Sequence, residues 1–189
     1  MNRKDLDRIL KEAKDRIGPK RFAHNQRVAK TARDLALTHG LDPDRAYLAA
    51  ILHDIAKTKD LDQLKALAQA YQVDWTPEFD RMPQIAHGFI GAQMARMDLG
   101  LEDEEILGAI AYHTTGREAM SQLEKLVYLA DYIEPGRDFP GVDKARDLAK
   151  KDLDQAMVYA LTRTLGFLLQ EKIEIALDTV RAWNSYQRG

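Results

Sequence analysis

The sequence contains no cysteine, and this absence removes several kinds of chemistry at once. Disulfide bridges, thiolate nucleophiles and cysteine-rich zinc sites are all excluded. Any bound metal must therefore be held by imidazole and carboxylate groups. Such ligands suit iron, manganese, cobalt, nickel or zinc, and they leave the choice among these metals open.

Long apolar runs and a strong excess of one charge are missing as well. No apolar stretch approaches the length of a membrane span, so we expect no membrane partner. The first residues, Met1-Asn2-Arg3-Lys4-Asp5, lack the apolar core of a signal peptide, which favours a cytoplasmic location. The formal net charge is −2 and no basic tract stands out, so the sequence predicts no nucleic-acid partner.

Apolar residues recur with a helical period along almost the whole chain of 189 residues, and sustained strand-like alternation is absent. The pattern predicts an all-α fold, and we expect one domain covering residues 1–189. An N-terminal helix is expected over residues 1–18, ending at Gly18-Pro19. Residues 19–151 are expected to form the core of the domain.

The remaining segments are predicted from their proline, glycine and apolar patterns. Two prolines and two aromatic residues between residues 72 and 86 indicate an irregular loop, which is a candidate lid. The segment 135–141 is rich in turn-forming residues. Residues 152–189 are predicted to form one long amphipathic helix, with Gly166 as the place where it would break.

Six residues that can bind metals stand at or near the ends of apolar helical stripes. Any single histidine in such a place is more often a core residue satisfied by a backbone carbonyl. Four histidines without metal would need four separate buried partners, whereas one bound metal pair would satisfy all six residues. The candidate ligands are His24, His53, Asp54, His87, His113 and Asp131.

Two of these candidates, Asp54 and Asp131, are expected near the C-terminal ends of their helices. A carboxylate there faces partial negative charge, which costs about 0.3–1 kcal/mol. A nearby cation would reverse this cost. That cation is either a bound metal or a basic side chain, for which Lys57 and Arg137 are the candidates, and both alternatives stay open.

The motifs resemble the HD superfamily of metal-dependent phosphohydrolases, whose signature is a His, a His-Asp pair and a later Asp. His24, His53-Asp54 and Asp131 match that signature. The dipeptide alone carries little weight, since about half an occurrence is expected by chance in a chain of this composition. The sequences AHNQRVA, LHDIAK, HTTG and YLADYIEPGR, at residues 23–29, 52–57, 113–116 and 128–137, further resemble the YqeK-type branch of symmetrical diadenosine-tetraphosphate hydrolases.

This resemblance implies a helical HD-domain bundle that binds two divalent or trivalent metal ions, with iron as the first expectation. One metal would be held by His24, His53, Asp54 and Asp131, and the other by His87 and His113 with Asp54 bridging. Two metals about 3.5–4 Å apart suit in-line displacement at phosphorus. The implied reaction is attack of metal-activated water on diadenosine tetraphosphate to give two ADP, with Asp54 or Asp131 orienting the nucleophile.

Phosphate recognition needs further cations and hydroxyl groups near the ligands. Arg27 lies three residues after His24, and Lys57 lies three residues after Asp54, so each is one helical turn from a ligand. Arg137 and Thr114 are the other candidates, and Lys57 is placed in the catalytic group as well. The alternative for each cation is a solvated surface position.

Three other functions stay open: a different HD-type nucleotide phosphohydrolase, a di-iron protein that activates oxygen, and a nucleotide-binding module without catalysis. The complete ligand set argues against the last one, because a decayed site first loses a ligand. The expected partner is a dinucleoside polyphosphate or another nucleotide. A homodimer is compatible with the sequence.

Overall fold

The computed structural model describes residues 3–187, and every regular element in that range is a helix. This confirms the predicted all-α fold. Within the same range, none of the helices has both the length and the apolar character needed to cross a membrane. The ten helices are α1 (Arg3–Thr38), α2 (Pro43–Leu52), α3 (Leu61–Ala70), α4 (Pro77–Arg81), α5 (Pro83–Leu99), α6 (Glu104–Ala111), α7 (Gln122–Ile133), α8 (Val142–Lys151), α9 (Leu153–Gln170) and α10 (Leu177–Ser185).

Helix α1 contains a kink at the place where the sequence predicts an end. Gly18 has φ 74° and ψ 166°, which is outside the helical region and is readily adopted only by glycine. Pro19 then starts the second segment, where its missing N–H costs nothing. The kink thus lies at the residue where the sequence predicts the first helix to end, and residues 1–2 of that predicted helix lie outside the described part of the chain.

The core lies where the second segment of α1 packs against α2 and α7, with α6 completing the layer. Val28, Ile51, Leu126 and Leu129 are fully buried there. Helix α5 packs against α6 so closely that a Cβ atom on Gly88 would collide with the carbonyl oxygen of Ala111. A glycine is therefore required at this crossing, which brings the start of α5 next to the end of α6.

The irregular loop predicted over residues 72–86 is wrong in part. Residues 77–81 form α4, whose N-cap Thr76 accepts a hydrogen bond from the Phe79 N–H at 3.3 Å. Pro83 is the first residue of α5. Both prolines stand at the first position of a helix, where proline is favoured, so they start helices here instead of breaking them.

The single long helix predicted over residues 152–189 is also wrong. Helix α9 runs through Gly166 without a break and ends at Gln170, and α10 is a separate helix. Lys172 has a left-handed φ of 57°, and the Ile173 N–H donates to the Leu168 carbonyl at 2.9 Å. These are the features of a Schellman ending, which usually contains glycine, and a lysine in that position gives no sequence signal.

The sequence interpretation assigned no element to residues 142–151, which form α8. Val142, Ala145 and Ala149 on this helix are buried, so it packs through small side chains. The Arg146 side chain of α8 donates hydrogen bonds to the carbonyls of Ile133 (3.0 Å), Glu134 (3.2 Å) and Arg137 (2.8 Å). Helix α8 thus holds the turn that follows α7.

Candidate metal centre

All six predicted ligands come together at one place in the structure. His24 lies on α1, His87 on α5 and Asp131 in the last turn of α7. His53 and Asp54 follow directly after α2, and His113 lies two residues after α6. Two groups of ligand atoms lie within 4.8 Å of one another and could each hold an ion: His24, His53 and Asp131, and His53, Asp54 and His113.

Three of the histidines share one arrangement, in which Nδ1 contacts the backbone carbonyl three residues earlier. The distances are 2.6 Å from His53 to Ala50, 2.6 Å from His87 to Gln84, and 2.8 Å from His113 to Ile110. A carbonyl only accepts hydrogen bonds, so Nδ1 carries the proton in each neutral ring. The Nε2 lone pair is therefore left facing the centre, as in metal-binding histidines.

These lone pairs meet one another and the Asp54 carboxylate. The Nε2 atoms of His87 and His113 are 3.0 Å apart, and Asp54 Oδ1 lies 3.0 Å from the first and 3.6 Å from the second. Buried acceptors that face each other repel unless a cation lies among them. The Lys57 ammonium contacts two of these atoms, His87 Nε2 at 3.1 Å and Asp54 Oδ1 at 3.4 Å, but His53 Nε2 stays without a partner. Ligand atoms bound to one ion at about 2.1 Å lie about 3.0–3.4 Å apart, so these spacings fit a metal.

Two buried atoms of this centre also indicate a cation-binding site, since neither has a hydrogen-bond partner. They are Nε2 of His53 and Oδ1 of Asp54, in side chains that are nearly inaccessible to solvent. An unsatisfied buried polar atom costs about 1–3 kcal/mol. A bound cation would satisfy both atoms at once, so the residues present fit a metal.

The protonation states agree with this description. Burial lowers the pKa of His53 and that of His87 to about 4, so both rings are neutral at pH 7. The pKa of Asp54 lies below its usual range although burial opposes this. Two cations contact the ionised carboxylate, Arg21 at 2.7 Å and Lys57 at 3.4 Å. The centre therefore offers neutral imidazoles and an ionised carboxylate, which are the forms that bind metals.

His24 is oriented by two carboxylates, one on each ring nitrogen. Its Nε2 lies 3.1 Å from Asp131 Oδ1, and its Nδ1 lies 3.2 Å from Glu134 Oε1. The hydrogen bond to Asp131 is the main cause of the raised pKa of His24. A carboxylate behind the imidazole is the usual support of a metal-binding histidine, and Glu134 takes that position.

Glu134 is a buried carboxylate that the sequence interpretation missed. Its Oε2 accepts hydrogen bonds from Arg27 Nε at 2.7 Å and from the Gly136 N–H at 2.6 Å. Arg27 is predicted to contact phosphate, but in the structure its guanidinium is hydrogen-bonded to Glu134. The Arg27 side chain is 44% exposed. Glu134 lies three residues after Asp131, so the spacing rule that selected Arg27 and Lys57 would also have selected Glu134.

Three cations lie beside the two carboxylates that are candidate metal ligands, Asp54 and Asp131. Lys57 Nζ is 3.4 Å from Asp54 Oδ1 and 3.1 Å from His87 Nε2. Arg137 Nη2 is 2.6 Å from Asp131 Oδ1, so both predicted cations contact the carboxylate expected of them. The third, Arg21, contacts Asp54 Oδ2 at 2.7 Å and was missed, although it lies three residues before His24.

Thr114 contributes a hydroxyl group to the same region. Its Oγ1 donates to His113 Nε2 at 3.1 Å, and the residue is partly exposed. One cleft beside the centre is lined by the predicted substrate contacts Lys57, Thr114 and Arg137 and by the candidate ligands His113 and Asp131. The structure thus brings every predicted substrate contact except Arg27 to the wall of a cleft that opens on the metal ligands.

Comparison with known proteins agrees with this geometry. The family model described as HD domain matches residues 21–136. The chain is 41% identical to a symmetrical bis(5'-nucleosyl)-tetraphosphatase of Halalkalibacterium halodurans over 94% of both chains. It is 38% identical to the Bacillus subtilis protein of the same name over 97% of both chains.

A solved structure shares the whole fold. It is the crystal structure of a predicted HD superfamily hydrolase involved in NAD metabolism from Clostridium acetobutylicum. Its TM-score with the present chain is 0.91, at 34% sequence identity over 97% of both chains. The chain belongs to the HD domain family, in the branch that contains the symmetrical bis(5'-nucleosyl)-tetraphosphatases.

Proposed function

We propose that this chain is a metal-dependent hydrolase that cleaves diadenosine tetraphosphate symmetrically into two molecules of ADP. The observation that carries the proposal is the convergence of imidazole Nε2 lone pairs on the buried Asp54 carboxylate. The names of its relatives supply the substrate, because two proteins at about 40% identity are called symmetrical bis(5'-nucleosyl)-tetraphosphatases.

Two ions would divide the six ligands between them. His24, His53, Asp54 and Asp131 would hold one ion, and His87 and His113 would hold the other, with Asp54 as the shared ligand. When bound, such a pair lowers the pKa of an attacking water and neutralises charge on the phosphate oxygens. Iron is the metal that we propose, with manganese, cobalt, nickel and zinc as alternatives that the same nitrogen and oxygen ligands accept.

The side chains around the ligands would bind and orient the tetraphosphate. Arg137 has a fork of donors suited to two phosphate oxygens, and Lys57 offers a point charge. Thr114 would donate its hydroxyl hydrogen to a phosphate oxygen, and Asp54 or Asp131 would orient the nucleophile. Arg27 is proposed mainly to hold Glu134 and only secondarily to contact phosphate, since its guanidinium is bound to Glu134 and, unlike that of Arg137, does not line the cleft with Lys57 and Thr114.

Four properties outside the site stay predictions. These are the single domain over residues 1–189, a cytoplasmic location, a homodimer and the lack of a nucleic-acid partner. The single domain, the location and the lack of a nucleic-acid partner are expected from the sequence pattern, whereas a homodimer is only compatible with it. Each needs its own measurement.

The decisive test compares wild type with Asp54→Ala. Metal content per chain and the products formed from diadenosine tetraphosphate would be measured together, with Asp44→Ala as the control because Asp44 is 82% exposed on α2. Wild type and the control should bind metal and release two ADP per substrate. Asp54→Ala should lose both, since its carboxylate contacts both groups of ligands.

Three results would contradict the proposal. ATP plus AMP as products would exclude symmetrical cleavage, and no turnover by a fully loaded chain would exclude the hydrolase. NAD is the comparison substrate, because the solved relative is described as involved in NAD metabolism. Faster cleavage of NAD than of diadenosine tetraphosphate would assign the site to another dinucleotide.

A further inference from the structure

Three of the candidate metal ligands line two clefts of nearly equal volume, about 270 Å³ and about 260 Å³: His87 lines the first, and His113 and Asp131 line the second. The first, named the His87 cleft, is lined by His87 together with Leu61, Leu64, Pro83 and Gln84. The second, named the Thr114 cleft, is lined by Thr114 and His113 together with Tyr132, Arg137 and Phe139. Lys57 lines both clefts, so the two adjoin at this residue.

The Thr114 cleft has the groups that recognise a nucleotide. Tyr132 and Phe139 form an edge-to-face pair with ring centroids 5.0 Å apart, and both side chains are half-buried at the cleft wall. A nucleobase stacked on such a ring gains about 1–3 kcal/mol. Arg137 and Lys57 line the same cleft and contact the candidate ligands Asp131 and Asp54, so they would meet the phosphates of a nucleotide stacked there.

The His87 cleft is more apolar and has no aromatic side chain in its lining. Leu61 is 44% exposed, and Leu64, which also lines the cleft, is buried. Gln84, also exposed, offers an amide that can pair with the edge of a base. Both clefts thus combine an apolar wall with polar groups, as small-molecule sites do, and each reaches a metal ligand.

We propose that each cleft binds one adenine nucleoside of the substrate, so that the middle of the tetraphosphate lies at the metal centre beside Lys57. This inference rests on the proposed function and gives it a physical basis. A substrate held by a base on each side of the ligands presents its central phosphoanhydride to them, and cleavage there leaves one ADP in each cleft. The two clefts differ in chemistry, so the two ADP molecules bind with different affinities.

Titration of ADP into the manganese-loaded chain tests this directly, with calorimetry as the readout. We expect two ADP molecules per chain. Phe139→Ala should weaken one of the two sites about tenfold through loss of stacking, and Phe139→Trp should restore it. Leu61→Ser should weaken the other site about fivefold, because it removes half-exposed apolar contact. Leu37→Ser is the matched control, since Leu37 is 63% exposed and lines neither cleft.

A substrate with a nucleoside at one end separates the clefts kinetically. For adenosine 5'-tetraphosphate, Phe139→Ala should raise KM about tenfold, and Leu61→Ser should leave it unchanged. For diadenosine tetraphosphate, both substitutions should raise KM.

One ADP per active chain would overturn the two-cleft proposal and leave the proposed function standing. The same would follow if both substitutions weakened one and the same site. An inactive chain that binds metal and ADP would overturn the proposed function instead.

Discussion

Glu134→Gln is the most informative single substitution, because it changes one atom behind a metal ligand. Glu134 Oε2 accepts the two short hydrogen bonds from Arg27 Nε and the Gly136 N–H. Its Oε1 accepts the longer ones, from His24 Nδ1 at 3.2 Å and Arg27 Nη2 at 3.3 Å. The glutamine side chain keeps one oxygen. We expect this oxygen at the position of Oε2, where it accepts the two short hydrogen bonds. The amide nitrogen must then face His24.

This exchange turns an acceptor of the His24 Nδ1–H into a donor. The neutral ring then prefers the tautomer with the proton on Nε2, which points at Asp131 and occupies the lone pair needed for metal. Loss of such a supporting partner typically costs 10–100-fold in metal affinity, which is about 1.4–2.7 kcal/mol. Glutamine also removes a charge that raises the pKa of His24, and easier deprotonation offsets part of this loss.

The assay is a competition titration of manganese against a chelator, with nitrogen NMR of the His24 ring as a second readout. Glu174→Gln is the matched control, because Glu174 pairs with Arg81 at 2.6 Å and is 47% exposed. We expect the affinity loss and the tautomer change only in Glu134→Gln. A folded Glu134→Gln chain that binds manganese within twofold of wild type and keeps the metal-binding tautomer would refute the reasoning.

Three further predictions concern packing, pH and substrate binding. Gly88→Ala should lower the free energy of unfolding by about 2 kcal/mol or more, since the added Cβ meets a backbone oxygen that cannot move away; an unchanged Tm would contradict the close helix crossing. In the protein freed of metal by a chelator, the pKa of His53 and that of His87 are about 4, whereas a histidine in the unfolded chain has a pKa of about 6.5. As the pH falls, the unfolded state therefore binds protons at these rings before the folded state does. Urea unfolding in chelator should therefore show stability falling from about pH 6.5 to about pH 4, with part of the fall offset by His24, whose pKa is raised in the folded chain. NMR titration of the His53 and His87 rings separates the contributions, and rings that take up protons near pH 6.5 in the folded chain would contradict the prediction. Arg137→Ala should raise KM for diadenosine tetraphosphate about tenfold with metal content retained, and an unchanged KM would make Arg137 a partner of Asp131 alone.

Helical periodicity was enough to predict the all-α fold and the grouping of the ligands. His24, His87 and Asp131 lie on helix faces that also carry core residues, and faces of this kind must meet in a small helical protein. The local support of the rings was not visible in the sequence. The Nδ1 contact of His53 with the Ala50 carbonyl depends on how the chain leaves α2, and no residue type reports that.

The errors in the fold have equally specific causes. Pro77 and Pro83 were interpreted as helix breakers, whereas each is the first residue of a helix. One long helix is predicted over residues 152–189, with Gly166 as the place of any break because glycine is the usual signal, but the break follows α9 and Lys172 adopts the left-handed conformation there. Arg21 and Glu134 could have been found, because each lies three residues from a predicted ligand on the same helix or its end.

The most direct test of the central claim is a reaction of the metal-loaded chain with diadenosine tetraphosphate in ¹⁸O-labelled water. The account predicts two ADP per substrate, with one ¹⁸O atom in one ADP of each pair, and no reaction in chelator until metal is added back. Release of ATP and AMP, or turnover that chelator does not affect, would contradict it.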